Sequence, residues 1–458
     1  KNQKNDFIQE DFSMKSKKIT SLLLVSAMLA TTFLSGCQGS GGGSGSGTDA
    51  KTESGTAQGS EAKQDGASSG DSTEVTFWTL NTRQNAVDPI VEEFNAAHED
   101  MKVTVAYYDT DGIKDACKVA ASSKTLPNMW FNWGGSLGGF YAENGLTYDL
   151  TEYAKEHKWN ETFSEGALTL CELGGQLSGY PTSYNVLDIY YRKDIFEQYN
   201  IAVPTTFEEF EQACATLKEN GITPISTAGL NGWHVMRFVE LLIEHYAGAE
   251  EHDKMNTFES SYDNDATVQA LTKFKEFCDK GYFPDGFVTA DPNDTQMAVF
   301  SGTAAMDIQG QWYDGKIVQE EQDINLYGTF PFPSGNTNRL SAFVEMTQFN
   351  ADNTDAQLNA CMEFMDYYYS KENTDKYAEY YNLPLPKSDE EMPAGQPNVP
   401  KMLETAEKNG TFTITDQAFP TEIADALFDV QDGIANGQTT PEDGAKKIQE
   451  AIDAYNNK

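Results

Sequence analysis

The chain has 458 residues and a formal net charge of −39 at pH 7, from 71 acidic and 32 basic residues. Nucleic acid needs a basic footprint, so this balance excludes it as a partner, and the same charge repels other anionic polymers. The length leaves room for two domains or lobes.

In chain order, the first signal is a leader. Met14 opens it, and residues 1–13 read as upstream sequence. Lys15, Lys17 and Lys18 form a basic start, Ile19 to Leu34 an apolar run, and Ser35-Gly36 a small-residue step before Cys37. That order is a lipoprotein signal peptide over 14–36, cleaved so that the mature chain begins at a lipidated Cys37. The apolar run is shorter than the roughly 20 residues a spanning helix needs. Contact with the membrane is therefore expected through the lipid anchor only, on the extracellular face of the cell membrane. Gln38 to Ser72 is almost all Gly, Ser, Thr, Ala and charged or amide residues, and cannot bury a core. Residues 37–72 read as a disordered linker with an r.m.s. reach of roughly 30 Å.

The body follows. Glu74 to Thr79 is β-rich, Val87, Ile90, Val91 and Phe94 share one helical face, and Lys102 to Tyr107 alternates as a second strand. Strand, helix, strand predicts a βαβ unit and a parallel sheet, hence an α/β fold. Leu126 to Phe140 predicts a short strand running into a glycine-rich loop, with Asn132, Trp133 and Gly134 at the strand's carboxyl end, where open α/β sheets bind ligands. Thr206 with Glu209 makes a capping box, and Phe207 and Phe210 begin a buried stripe. Met297 to Trp312 reads as helix end, glycine stop, strand and a turn carrying Trp312. Leu358, Cys361, Met362, Met365 and Tyr369 keep helical spacing, and Thr440-Pro441 caps a last helix.

Beyond Cys37 the cysteines are Cys117, Cys171, Cys214, Cys278 and Cys361, an odd and scattered set with no zinc-type spacing. Cys361 reads as a buried free thiol, and one disulfide among the others stays open. No metal or cofactor is expected.

Three motifs carry a resemblance. Gly179-Tyr180-Pro181 is followed by Tyr190 to Phe196 and by Pro204 to Glu209. Phe300 to Met306 is followed by Gly310-Gln311-Trp312, and Phe330 to Pro333 and the Thr440 cap come in register. In this order, over nearly the whole body, the series resembles the extracellular solute-binding proteins of ABC importers, in the maltose-binding-protein-like class that binds sugars and oligosaccharides. Arg192 and Phe207 depart from that pattern, standing where the family usually has asparagine and tryptophan. The resemblance implies a two-lobed periplasmic-binding-protein-like fold of type II. Each lobe is a sheet flanked by helices, with the ligand cleft at the hinge. It also implies that lobe 1 takes 73–183 and 328–382, and lobe 2 takes 184–327 and 383–458. A monomer delivering a carbohydrate ligand to ABC transporter permease subunits by hinge closure follows, with no catalysis.

A sugar cleft needs flat apolar faces for pyranose C–H edges and directed polar groups for hydroxyls. By resemblance, Trp312 is the first candidate to stack a ligand, at the cleft floor of lobe 2. Trp133 with Asn132, and Trp233 after Leu230-Asn231-Gly232, follow. Asn81, Thr82 and Arg83 line the loop after the first strand. Tyr184, Phe343 and Glu345 lie near the lobe crossings.

Two other classes stay open. Gly134-Gly135-Ser136-Leu137-Gly138 matches the nucleophile-elbow pattern of an extracellular carbohydrate-active hydrolase or esterase, with Ser136 as nucleophile. A binding protein for a polyamine, a peptide or a polyol phosphate is the other; phosphate would call on Arg83, Arg192 and Arg237. His245 and His252, with Glu244 and Glu251, read as a solvated acidic helix end rather than a metal site.

Overall fold

The β-rich run at Glu74–Thr79 becomes strand β1 (Thr73–Leu80) in the computed structural model, which describes residues 72–387 and 395–457. The leader, Cys37 and the linker up to Asp71 lie outside the described residues. Helix α1 (Gln84–Ala97) buries Val87, Ile90 and Phe94, and β2 (Met101–Tyr108) pairs with β1 in parallel. Helix α2 (Thr110–Ser123), capped by Asp109, leads to β3 (Met129–Trp133) on the other side of β1.

The glycine-rich stretch after β3 is a helix, α3 (Gly135–Glu143), not a loop. Its glycines serve close packing: a Cβ on Gly138 would strike Met346, so the small residues let α3 lie against a neighbouring strand. A two-residue hairpin, β4 (Glu172–Leu173) and β5 (Gln176–Leu177), precedes the long strand β6 (Tyr180–Arg192). Then come β7 (Thr223–Ser226), β8 (Ala304–Gly310), β9 (Tyr327–Phe330), β10 (Leu340–Phe349) and β11 (Thr411–Thr413).

The main sheet runs β2-β1-β3-β10-β6-β8-β7, with β11 on β10 and β9 on β6. Two strands are shared between its halves. β6 pairs with β10 through residues 180–187 and with β8 and β9 through 187–192. β10 pairs with β3 through 345–349 and with β11 through 340–342. These crossing strands join two lobes, each a sheet flanked by helices. One core gathers Val75, Phe77, Phe94, Met346 and Phe364. Another gathers Tyr190, Phe300, Tyr313 and Tyr327, and a third, larger cluster runs through the Trp233–Ala247 and Asp265–Asp279 helices. Among the described residues no helix is long and apolar enough to cross a membrane, and Cys117, Cys171, Cys214, Cys278 and Cys361 are all free thiols.

One helix end differs from its sequence reading. His252 is fully buried and pairs with Glu244 at 2.7 Å, and Arg339 bridges Glu244 at 2.8 Å and Asp253 at 2.9 Å. Arg339 comes from the segment just before β10, so nothing near Glu244 in sequence announces this partner.

Candidate functional site

A cavity of about 420 Å³ opens where β1, β3 and β8 end. Strand ends leave backbone groups and loop side chains uncovered, which is why α/β sheets bind ligands there. Asn81, Thr82 and Arg83 reach it from the turn after β1, and Trp133 from the last position of β3. Trp233 and Arg237 come from the first turns of the Trp233–Ala247 helix, Gln309 from β8, and Trp312 from the start of the Trp312–Gln319 helix. Phe343 and Glu345 come from the crossing strand β10, and Asp416 and Gln417 from the one-turn helix Thr415–Ala418.

Aromatic rings and cations alternate along the wall. Lys114 Nζ lies 5.0 Å from the Trp133 ring centre and 5.9 Å from that of Trp233. The Arg237 guanidinium lies 4.8 Å from Trp233 and 5.5 Å from Trp312. Two glycines make this possible. Gly232, at φ +74° and against Phe428, turns the chain so that Trp233 starts its helix facing the cavity. Gly310 lies under the Trp312 ring, where any Cβ would strike it.

The Trp312 ring is fixed by a polar layer beneath. The Trp312 Nε1–H donates to Gln309 Oε1 at 3.1 Å, and Arg237 donates to the same oxygen at 3.3 Å and to the Ile308 carbonyl at 2.9 Å. Gln309 in turn donates to Asp307 Oδ2 at 3.1 Å, and the buried His234 lies 3.1 Å from Asp307 Oδ1. Arg237 has no carboxylate in direct contact among the described residues, and its Nε has no partner. Burial pushes its pKa down to about 10, partly offset by Asp307, Asp416 and Glu240, so it stays charged near neutral pH. Burial likewise raises the Asp416 carboxyl, against the pull of Lys114 and Arg237.

Across the cavity Arg83 is buried and donates to Glu345 Oε2 at 2.8 Å and to the Tyr369 hydroxyl at 3.2 Å. The same carboxylate oxygen accepts from Ser183 at 3.0 Å and from Asn382 at 2.8 Å. Burial opposes the Arg83 charge, but Tyr369 and Glu345 outweigh it and the pKa is raised. Arg83 is therefore a paired buried cation, not a solvated loop residue. Asn231 Nδ2 donates to Asp111 Oδ2 at 2.6 Å, joining the loop before Trp233 to the start of α2.

Eight candidates line this one cavity: Asn81, Thr82, Arg83, Trp133, Trp233, Trp312, Phe343 and Glu345. Trp312 opens a helix instead of riding in a turn. Two candidates are elsewhere. Asn132 is buried and spends its side chain on structure: Nδ2 donates to Gln348 at 2.7 Å and Oδ1 accepts from the Trp133 N–H at 2.9 Å. It lines a neighbouring, smaller pocket of about 230 Å³ that shares Lys114, Trp133 and Leu137 with the cavity. Strand alternation puts Asn132 and Trp133 on opposite faces, so only one can face the cavity. Tyr184 lies away from the cavity, with its hydroxyl 3.1 Å from Thr411 Oγ1.

Sequence reasoning missed Lys114, Gln309, Asp416, Gln417 and Asn382. Gln309 had a signal, three positions before a tryptophan and on a strand. The others reach the cavity through tertiary topology alone. Ser136 Oγ donates to the Asp416 carbonyl at 3.2 Å, and the positive φ falls on Gly135, not on the serine.

A two-lobed α/β body with a cavity between strand ends defines a binding-protein architecture. The chain belongs to the bacterial extracellular solute-binding protein family, whose model matches residues 89–401. It is 24% identical over 290 residues to the multiple sugar-binding protein of Streptococcus mutans, covering 59% of this chain and 65% of that one. It is 21% identical over 337 residues to an uncharacterized ABC transporter extracellular-binding protein of Pyrococcus horikoshii, covering 70% of each. Its fold matches a solved chitin oligosaccharide binding protein at TM-score 0.77 and 23% identity, over 85% of this chain and all of the other.

Proposed function

We propose that this protein captures a carbohydrate, an oligosaccharide, in the cavity between its lobes and delivers it to the permease of an ABC importer. The observation that carries the reading is the convergence of Trp133, Trp233 and Trp312 on one cavity whose other walls are amides, hydroxyls and charged groups. Indole faces match the C–H side of a pyranose, and the polar groups match its hydroxyls. The relatives named for sugars support the same reading.

The protein acts without catalysis, as a monomer. Ligand bridges the lobes and favours the closed form by its differential affinity for it. The chain passes from lobe 1 to lobe 2 along β6 and returns along β10. We place the return there and not at residue 328, because β9 pairs with the same end of β6 as β8 does. A lipid on Cys37, with the linker to Ser72, holds the body on the extracellular face of the membrane, where tethering raises its effective concentration at the permease.

Thermal-shift screening tests the class. Neutral oligosaccharides should give saturable stabilisation. Stabilisation only by a polyamine, a peptide or a polyol phosphate would move the ligand to another class. Turnover of a chromogenic glycoside or ester, abolished in Ser136→Ala, would replace the binding reading with a hydrolase.

A further inference from the structure

Strands β2 and β7 lie at opposite ends of the main sheet's order, with the crossing strands β10 and β6 between them. The segments that follow these two end strands nevertheless touch. Asp111 follows β2 in the first turn of α2, and Asn231 follows β7 in the loop before Trp233. Asn231 Nδ2 donates to Asp111 Oδ2 at 2.6 Å, across 120 residues of chain. The other oxygen, Asp111 Oδ1, accepts from Lys114 Nζ at 3.2 Å. Lys114, held in this way, stands 5.0 Å from the Trp133 ring centre on its own side and 5.9 Å from that of Trp233 on the other. One carboxylate therefore serves both walls of the cavity. It holds the loop that starts Trp233 and the cation between the two indoles.

We propose that Asp111 is a positioning residue that pins the two lobes together before ligand arrives, and so sets the spacing of Trp133 and Trp233. The proposal rests on the reading of the cavity between the lobes as the binding site, and not on the ligand being a sugar.

Leverage singles this pair out. The bond from Ser136 Oγ to the Asp416 carbonyl also joins the two sides, but it sits beside the crossing strands. There the Gly134 N–H donates to the Val344 carbonyl at 3.0 Å and the Ile414 N–H to the Ala342 carbonyl at 2.9 Å, both on β10. A hinge rotation about those strands leaves it nearly in place. Asp111 follows a strand three places from β10 in the sheet, about 14 Å away at the usual strand spacing. Asn231 follows one two places beyond β6. The same rotation parts them far more. The bond is charge-assisted, which strengthens it, while water reaches both partners: the Asp111 side chain is 26% exposed and Asn231 is exposed. It therefore biases closure without locking it. A ligand that needs the closed form binds more tightly the more that form is already populated.

Small-angle X-ray scattering of the protein without ligand tests the pin, so failure of the carbohydrate reading leaves the result intact. Asn231→Asp sets two carboxylates face to face and should raise the radius of gyration. Combining it with Asp111→Asn restores an amide–carboxylate pair with the roles exchanged, and should return the radius to that of the unmodified protein. Thermal melts of the three proteins should agree closely, which separates lobe opening from unfolding. In calorimetry with neutral oligosaccharides, Asn231→Asp should bind about three- to tenfold more weakly and the combined variant should regain affinity. No binding by any of the three would count against the sugar and not against the pin. An unchanged radius in Asn231→Asp, or an expansion that the combined variant keeps, would overturn the proposal.

Discussion

The guanidinium of Arg237 sits 4.8 Å from the ring centre of Trp233, with no carboxylate paired to it among the described residues. A buried cation is costly unless something compensates, and here the compensation is two indole faces, one carbonyl and one amide oxygen. That arrangement suits a group kept ready for a ligand oxygen more than a structural brace. Arg237→Met should therefore change unfolding stability by less than about 1 kcal/mol while weakening saccharide affinity at least about tenfold. Chemical denaturation and calorimetry on one preparation separate the two effects. A large loss of stability with unchanged affinity would make Arg237 a brace.

Arg83 and Glu345 behave oppositely, because each is the other's partner and both are buried at 7% side-chain exposure. Removing one leaves a lone charge inside. Glu345→Ala should cost about 3–5 kcal/mol of stability, and Glu345→Gln clearly less, since an amide still accepts from Arg83, Ser183 and Asn382. Urea midpoints of the two variants check the order.

Acid should destabilise the protein through Glu244. Burial alone would raise its pKa, but His252 and Arg339 outweigh burial and bring it down to about 2. A depressed folded value gives stability that is present above the unfolded value of 4.5 and is lost as pH falls through about 2. The melting temperature should drop across that window, and Arg339→Met should flatten the drop.

The proposed tether through Cys37 is tested apart from the cavity. Cys37→Ala should leave saccharide affinity unchanged in vitro while uptake by whole cells falls several-fold, because only effective concentration at the permease is lost. Parallel loss of both would contradict the tether.

What the sequence revealed followed from local physics. β1, α1 and β2 were legible because burial alternates with periods of two and 3.6 residues, and the Thr206 and Thr440 caps because side chain and backbone lie three residues apart. Trp233 was legible because it follows a glycine turn, and Trp312 through the resemblance carried by Gly310-Gln311-Trp312. The structural bond of Asn132 was not legible because its partner Gln348 lies 216 residues further along the chain, on the paired strand β10. The α3 helix was hidden by glycines that disfavour helix locally and are required by packing on β10. Asp416 and Gln417 carried no local pattern: a one-turn helix near the chain's end meets the cavity only after β10 and β11 pair.

The most direct measurement is calorimetric titration of neutral oligosaccharides into the unmodified protein and into Trp312→Ala. A saturable isotherm that weakens by about ten- to hundredfold when the Trp312 ring is removed is the predicted result. Saturable binding indifferent to Trp312, or binding of a non-sugar solute alone, would contradict the account.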